Sequence, residues 1–193
     1  MITHIQGKLV EKNPTNVVID CNGVGYLINI SLHTFSQIPD NESLKLLTHL
    51  QVKEDSHTLY GFRTLAEREI FRLLISVSGI GTSTARTMLS SLTPKQVRDG
   101  IASEDVALIQ SVKGIGLKTA QRVIIELKDK VLKIYDIDEV APSTSNTNKD
   151  EALSALEVLG FAKKQAERIV DKIISVQPEA NVETIIKEAL KNL

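Results

Sequence analysis

Ser78-Gly79-Ile80-Gly81 and Lys113-Gly114-Ile115-Gly116 decide how this chain is read. The second glycine pair follows the first by 35 residues, and the likeness extends beyond the glycines. Leu74-Ile75-Ser76-Val77 leads into the first copy, and Leu108-Ile109-Gln110-Ser111-Val112 leads into the second. Four residues after the last glycine of each copy stands an alanine, Ala85 or Ala120, within a stretch of helical spacing. The pattern predicts a helix, a glycine-pinched turn and a second helix, made twice. A turn stripped of side chains lets backbone N–H groups at the start of a helix lie against a phosphate. Two copies at a fixed offset can hold both strands of a duplex.

Simpler readings of the glycines weaken when the copies are taken together. A dinucleotide-binding turn needs a third glycine, which would fall at Thr84 and Thr119, and it follows a strand. Both copies here follow helical stretches. A P-loop needs Gly-Lys-Ser/Thr after four further residues, and neither copy has it. Glycine as a plain helix C-cap accounts for one copy alone. Matching flanks in the same charged segment favour the helix-hairpin-helix pattern, a DNA-binding element indifferent to base sequence.

That segment is the basic one. The formal net charge of −1 over 193 residues conceals an uneven distribution. Residues 1–63 carry 5 basic and 6 acidic side chains, 64–134 carry 11 and 7, and 135–193 carry 7 and 11. Positive charge therefore gathers around the glycine repeats, where an anionic polymer would bind. Ser78, Gly79, Gly81, Ser83, Gly114 and Gly116 are the expected phosphate-facing turn residues, with Lys113, Lys118 and Arg122 adding charge. Arg86 either does the same from the first copy or is a solvated helix residue. Nothing in these stretches offers side chains to read bases, so binding should be driven by the DNA backbone and sensitive to salt.

On either side the periodicity changes. Residues 16–20 and 24–30 read as strands flanking Cys21-Asn22-Gly23, whose Asn-Gly pair signals a hairpin. Residues 5–10, 44–52 and 58–62 supply three more β runs, and five short strands in this length suggest an OB-fold-like barrel over residues 1–63. From Arg63 onward Leu65, Ile70, Phe71, Leu74 and Val77 take helical spacing, giving an all-α domain over 64–135, with Thr93-Pro94 opening a helix between the repeats. Residues 136–149 form a polar run expected to be a linker. Residues 151–159, 163–176 and 182–193 suit a three-helix bundle within a domain spanning 150–193, small enough that a partner would stabilise it. The fold class is thus α+β and multidomain.

The remaining chemistry is sparse. Cys21 is the single cysteine, so one chain holds neither a disulfide nor a thiolate cluster. The four histidines, His4, His33, His49 and His57, lack ligand spacing, and no nucleophile–base pair is recognisable. No apolar run reaches the roughly 18 residues of a membrane span, and no secretory leader opens the chain, so a cytoplasmic setting is expected. Glu54 and Asp55 stand where a hairpin tip is expected, between 50–53 and 58–62. Adjacent carboxylates there are a solvated turn, a wedge that repels nucleic-acid strands, or part of a metal-dependent nuclease site, which normally gathers several carboxylates.

With these elements in order, the whole chain resembles the RuvA family. Val24-Gly25-Tyr26, Glu54-Asp55, Leu59-Tyr60-Gly61-Phe62, both glycine turns, Glu126-Leu127-Lys128-Asp129, the polar run and the terminal helices carry the resemblance. It implies a non-catalytic, cofactor-free and metal-free protein that binds four-way (Holliday) junction DNA as a homotetramer, or as two tetramers enclosing the junction. It implies an acidic pin at Glu54-Asp55 and a C-terminal UBA-like three-helix domain. That domain would bind RuvB, the hexameric AAA+ ATPase driving branch migration, with the RuvC resolvase joining the same complex. Leu156, Leu159, Phe161 and Leu190 are apolar positions that either form the motor contact or fill the bundle core. Relatives often place a lysine where this chain has Thr82-Ser83-Thr84, Ser83 above all, and a basic residue where it has Leu117, so its grip should lean on backbone N–H groups and Ser/Thr hydroxyls.

Overall fold

The computed structural model describes residues 1–39, 43–132 and 148–192. Two compact units divide the chain, the first holding a β-barrel with the helices that follow it, the second holding the last three helices.

The barrel comprises β1 (His4–Asn13), β2 (Asn16–Cys21), β3 (Val24–Ile30), β4 (Ser43–Val52) and β5 (His57–Phe62). It closes in the order β1-β2-β3-β5-β4, and every pairing is antiparallel except β3 with β5. Alternation fills its interior: Ile5, Val17, Ile19, Ile28, Ile30, Leu44 and Leu46 point inward, while their sequence neighbours face out. The Asn-Gly hairpin is made as its residues require, with φ of 54° at Asn22 and 92° at Gly23. One helix escaped sequence reading. Helix α1 (Leu32–Gln37) spans six residues, too short to show a period. Ser31 caps it by accepting from the Thr34 N–H at 2.9 Å.

β5 belongs to two cores at once. Leu59 turns into the barrel, whereas Tyr60 and Phe62 turn outward and pack with the helices. Gly61 faces the barrel like Leu59: a Cβ there would lie 2.6 Å from Ile28 Cγ2 and 3.0 Å from Leu46 Cδ1. The helices are α2 (Leu65–Ser76), α3 (Thr82–Ser91), α4 (Pro94–Ala102), α5 (Val106–Gln110) and α6 (Leu117–Val131). Phe71 of α2 is fully buried and lies 5.2 Å from the Tyr60 ring, 4.9 Å from Phe62 and 5.5 Å from His49, centroid to centroid. Barrel and helices therefore share one apolar seam and fold as one unit. A buried carboxylate closes the same junction: Glu67 accepts from the hydroxyls of Ser31 at 2.6 Å and Thr34 at 2.7 Å, and from the Arg63 N–H at 3.3 Å. Helix α4 opens as its sequence predicts, with Thr93 and Gln96 forming a reciprocal capping box ahead of Pro94.

The second unit is a bundle of α7 (Asn148–Val158), α8 (Lys163–Val176) and α9 (Val182–Asn192), cored by Ala152, Leu153, Leu156, Ala166, Val170, Ile185 and Ala189. Within the expected linker, 136–147 lies outside the described residues, while Asn148 and Lys149 already belong to α7.

Candidate nucleic-acid interface

The two glycine turns are built alike. In the first, Gly79 takes φ +97° and the Ile80 N–H donates to the Val77 carbonyl at 3.1 Å. In the second, Gly114 takes φ +93° and the Ile115 N–H donates to Val112, also at 3.1 Å. A side chain at that φ is strained, so these two glycines make the turn. Val77, Ile80 and Ala85 are buried on one side, as are Val112, Ile115 and Ala120 on the other, which pins each turn to the helical core.

Gly81 and Gly116 do something different. They are the N-caps of α3 and α6, with φ of −84° at both, a value open to any residue. Neither cap offers a side chain to the first N–H groups of its helix. A Cβ added at Gly81, Gly114 or Gly116 would meet nothing within 4 Å. Packing therefore does not require glycine at 81 and 116. What glycine leaves there is bare backbone, with the N–H groups of residues 82–84 and 117–119 at the positive ends of two helices. Such a pair of ends is made for anions.

Around this pair, the structure gives the cationic candidates different roles. Lys113 and Lys118 are exposed beside the second turn. Arg122, also exposed, donates from Nη1 to the Ser78 carbonyl at 3.2 Å and stands 3.9 Å from Glu126. Arg86 faces the barrel, donating from Nη1 to Asn29 Oδ1 at 2.9 Å and to the Thr15 carbonyl at 3.3 Å. Of its two sequence readings, the freely solvated helix residue does not hold, since Arg86 fastens α3 to the barrel. The expectation that Ser/Thr hydroxyls replace the missing lysine also needs correction at Thr82. That hydroxyl accepts from the Tyr60 O–H at 3.0 Å and donates to Gln51 Oε1 at 3.0 Å, so its proton is spent inside the protein. Ser83 is exposed. Lys128 pairs with Glu104, and the hydrogen bond between them, ahead of their Coulomb attraction, holds the Glu104 carboxyl below its ordinary value and the Lys128 ammonium above its own.

Glu54 and Asp55 are exposed at the tip between β4 and β5, in a turn closed by the Lys53 N–H donating to the Ser56 carbonyl at 2.8 Å. Asp55 accepts a local bond from the Ser56 hydroxyl at 3.1 Å. Among the described residues no group of three or more His, Cys, Asp or Glu could hold a metal ion, and no helix is long and apolar enough to cross a membrane. In the bundle, Leu156 is fully buried and Phe161 packs against the core, so Leu156 serves the fold. Leu159 and Leu190 are exposed, and so are Val158 and Val176, which the sequence pattern did not single out.

Comparison with known proteins covers the chain in three blocks. Residues 1–61 match the RuvA N terminal domain, 71–129 a SAM-like helix-hairpin-helix tandem, and 147–193 the RuvA C-terminal domain. Proteins named Holliday junction branch migration complex subunit RuvA align along their full length. The one from Flavobacterium psychrophilum is 68% identical over 193 residues and that from Christiangramia forsetii 70%, with all of both chains covered. The one from Cytophaga hutchinsonii is 51% identical over 197 residues, covering 99% of each chain. Domain order, glycine turns and full-length identity agree: the chain belongs to the RuvA family.

Proposed function

We propose that this protein binds four-way junction DNA by its backbone, without regard to sequence, and presents it to a motor for branch migration. One observation carries the reading: two helix N-termini that follow matching glycine turns, with no capping side chain and open space over Gly81 and Gly116. These ends suit phosphates of a duplex arm. Lys113, Lys118, Ser78, Ser83 and the four glycines form this grip, with Arg122 and Arg86 holding it in place.

The acidic tip turns a duplex grip into a junction grip. Assembly of four copies, as the family resemblance implies, brings four Glu54-Asp55 pairs to the centre of a junction. Two like charges 4 Å apart repel by about 1 kcal/mol in water and about 4 kcal/mol near a protein surface. Four pairs facing converging phosphates favour an open, square junction and parted strands. The C-terminal bundle, exposing Leu159 and Leu190, is the docking domain for the hexameric RuvB ATPase, and the chain itself hydrolyses nothing. RuvC would act on the junction held in the same complex, and the working form is a homotetramer, or two tetramers enclosing the junction.

Gel-shift competition tests the central claim. Unlabelled junction should displace labelled junction at far lower concentration than linear duplex of equal length. Equal displacement overturns the reading. Incubation with labelled junction and Mg²⁺ should leave the DNA uncut, and removal of residues 148–193 should spare junction binding while abolishing stimulation by the motor.

A further inference from the structure

The hydroxyl of Thr82 joins the first residue of α3 to the hairpin that carries the acidic tip. Thr82 is the first residue of α3, directly after Gly81, and only 8% exposed. Its two partners sit on the two strands that carry the tip. Gln51 lies on β4 and Tyr60 on β5, with Gln51 paired to Thr58 and His49 paired to Tyr60. Residues 49 and 51 face the same side of β4, so Gln51 and Tyr60 are diagonal neighbours on one face of the hairpin. Both meet the same oxygen, Tyr60 donating to it and Gln51 accepting from it, each at 3.0 Å. The hairpin runs on past Val52 and His57 to Glu54 and Asp55, which are exposed at its tip.

We infer that Tyr60, Thr82 and Gln51 form a positioning relay that fixes the acidic tip relative to the first phosphate grip. The inference rests on the reading of the tip as a strand-parting element at a bound junction. Phosphates bound at the N-terminus of α3 fix that helix, and the relay passes the constraint to both strands of the hairpin. Barrel pairing holds the base of the hairpin, β4 against β1 over Ser43–Leu47 and β5 against β3 over Leu59–Gly61, and the relay ties the stretch beyond that base to α3 through Gln51. Chemistry makes the relay specific: a hydroxyl can donate once and accept at the same time, which serine or threonine supplies and an apolar residue does not.

The test uses a junction with 2-aminopurine at the crossover, whose emission rises when the base unstacks, and full-length protein at saturating concentration. The double variant Glu54→Gln/Asp55→Asn sets the emission without the tip. Tyr60→Phe keeps the ring against Phe71 and removes the donor; Gln51→Leu removes the acceptor. Each should lower the emission toward that of the tip double variant while junction affinity stays that of the parent protein. Either change added to the tip double variant should lower emission no further, a result that loss of general stability would not give. Parental emission from both Tyr60→Phe and Gln51→Leu overturns the relay, as does affinity falling in step with emission. Failure of the underlying reading looks different: the parent protein then fails to prefer junction over duplex, or emits no more than the tip double variant. In that case the relay falls with the reading. Failure of the relay alone leaves parent and tip variant apart.

Discussion

Arg122, in the second repeat, donates from Nη1 to the carbonyl of Ser78 in the first, at 3.2 Å. Thr119, one turn earlier on the same face of α6, stands 3.9 Å from where a Cβ on Gly79 would lie. The first glycine turn is thus held from outside by the helix of the second, and contacts between the two turns set their spacing. Arg122→Gln separates this bracing role from a phosphate contact. Each neutralised phosphate contributes about 0.9 to the slope of log affinity against log salt. The expected result is weaker junction binding with a slope changed by much less than about 0.9 per protomer. A full drop of that size, read from gel shifts across a salt series, would make Arg122 a direct phosphate ligand.

The paired glycines of each turn should respond oppositely to alanine. At Gly79 and Gly114 the positive φ makes a Cβ costly, by roughly 1–2 kcal/mol for each substitution. At Gly81 and Gly116 φ is ordinary and the space open, so reduced freedom of the unfolded chain offsets the poorer cap, and stability should move by less than about 1 kcal/mol. Their loss should appear in junction affinity, because a methyl group then covers the backbone that faces the phosphate. Chemical denaturation and gel shifts on the four single variants check both halves of this expectation.

The glycine turns were legible in sequence because their signal is local: φ, turn and flanking helix are all set within a few residues. The barrel was legible for the same reason, through alternation and an Asn-Gly turn. What stayed hidden depends on partners far along the chain. Arg86 reads as a cation on a DNA-binding helix until Asn29, 57 residues away, is found beneath it. Thr82 reads as a phosphate-facing hydroxyl until Gln51, 31 residues away, is found accepting its hydrogen bond. Leu156 and Leu159 share one apolar stripe, and only the docking of α8 and α9 buries the first while leaving the second exposed. The run Leu59-Tyr60-Gly61-Phe62 shows a strand but not that its two faces serve two cores.

That double use of β5 makes Phe71 the residue on which the first unit depends. It is fully buried and lies within ring contact of Tyr60, Phe62 and His49. Phe71→Ala should cost about 3–5 kcal/mol, from lost burial plus an unfilled cavity. Because the cavity opens between barrel and helices, junction affinity should fall even where most molecules remain folded. Phe71→Leu, keeping much of the volume, should cost about half as much. Urea denaturation followed by circular dichroism gives both values.

His49, on the edge of the same seam, supplies a pH dependence. Burial, followed by the charges of Arg72 and then Arg68, lowers its pKa from the ordinary 6.5. A depressed histidine pKa means that the unfolded chain binds the proton more readily than the folded one. Its favourable contribution is therefore complete above about pH 6.5, where both states are neutral at this residue, and it is lost as pH falls from there through the folded-state value. The direction is fixed: stability rises with pH across that window. His49→Gln removes the titrating group and should flatten this part of the profile. Melting temperatures of the parent and the variant, measured from pH 7.5 down to about pH 5, should converge or cross as the pH falls. Curves that stay parallel would mean that His49 has the same proton affinity folded and unfolded, with neither burial nor the two arginines acting on it.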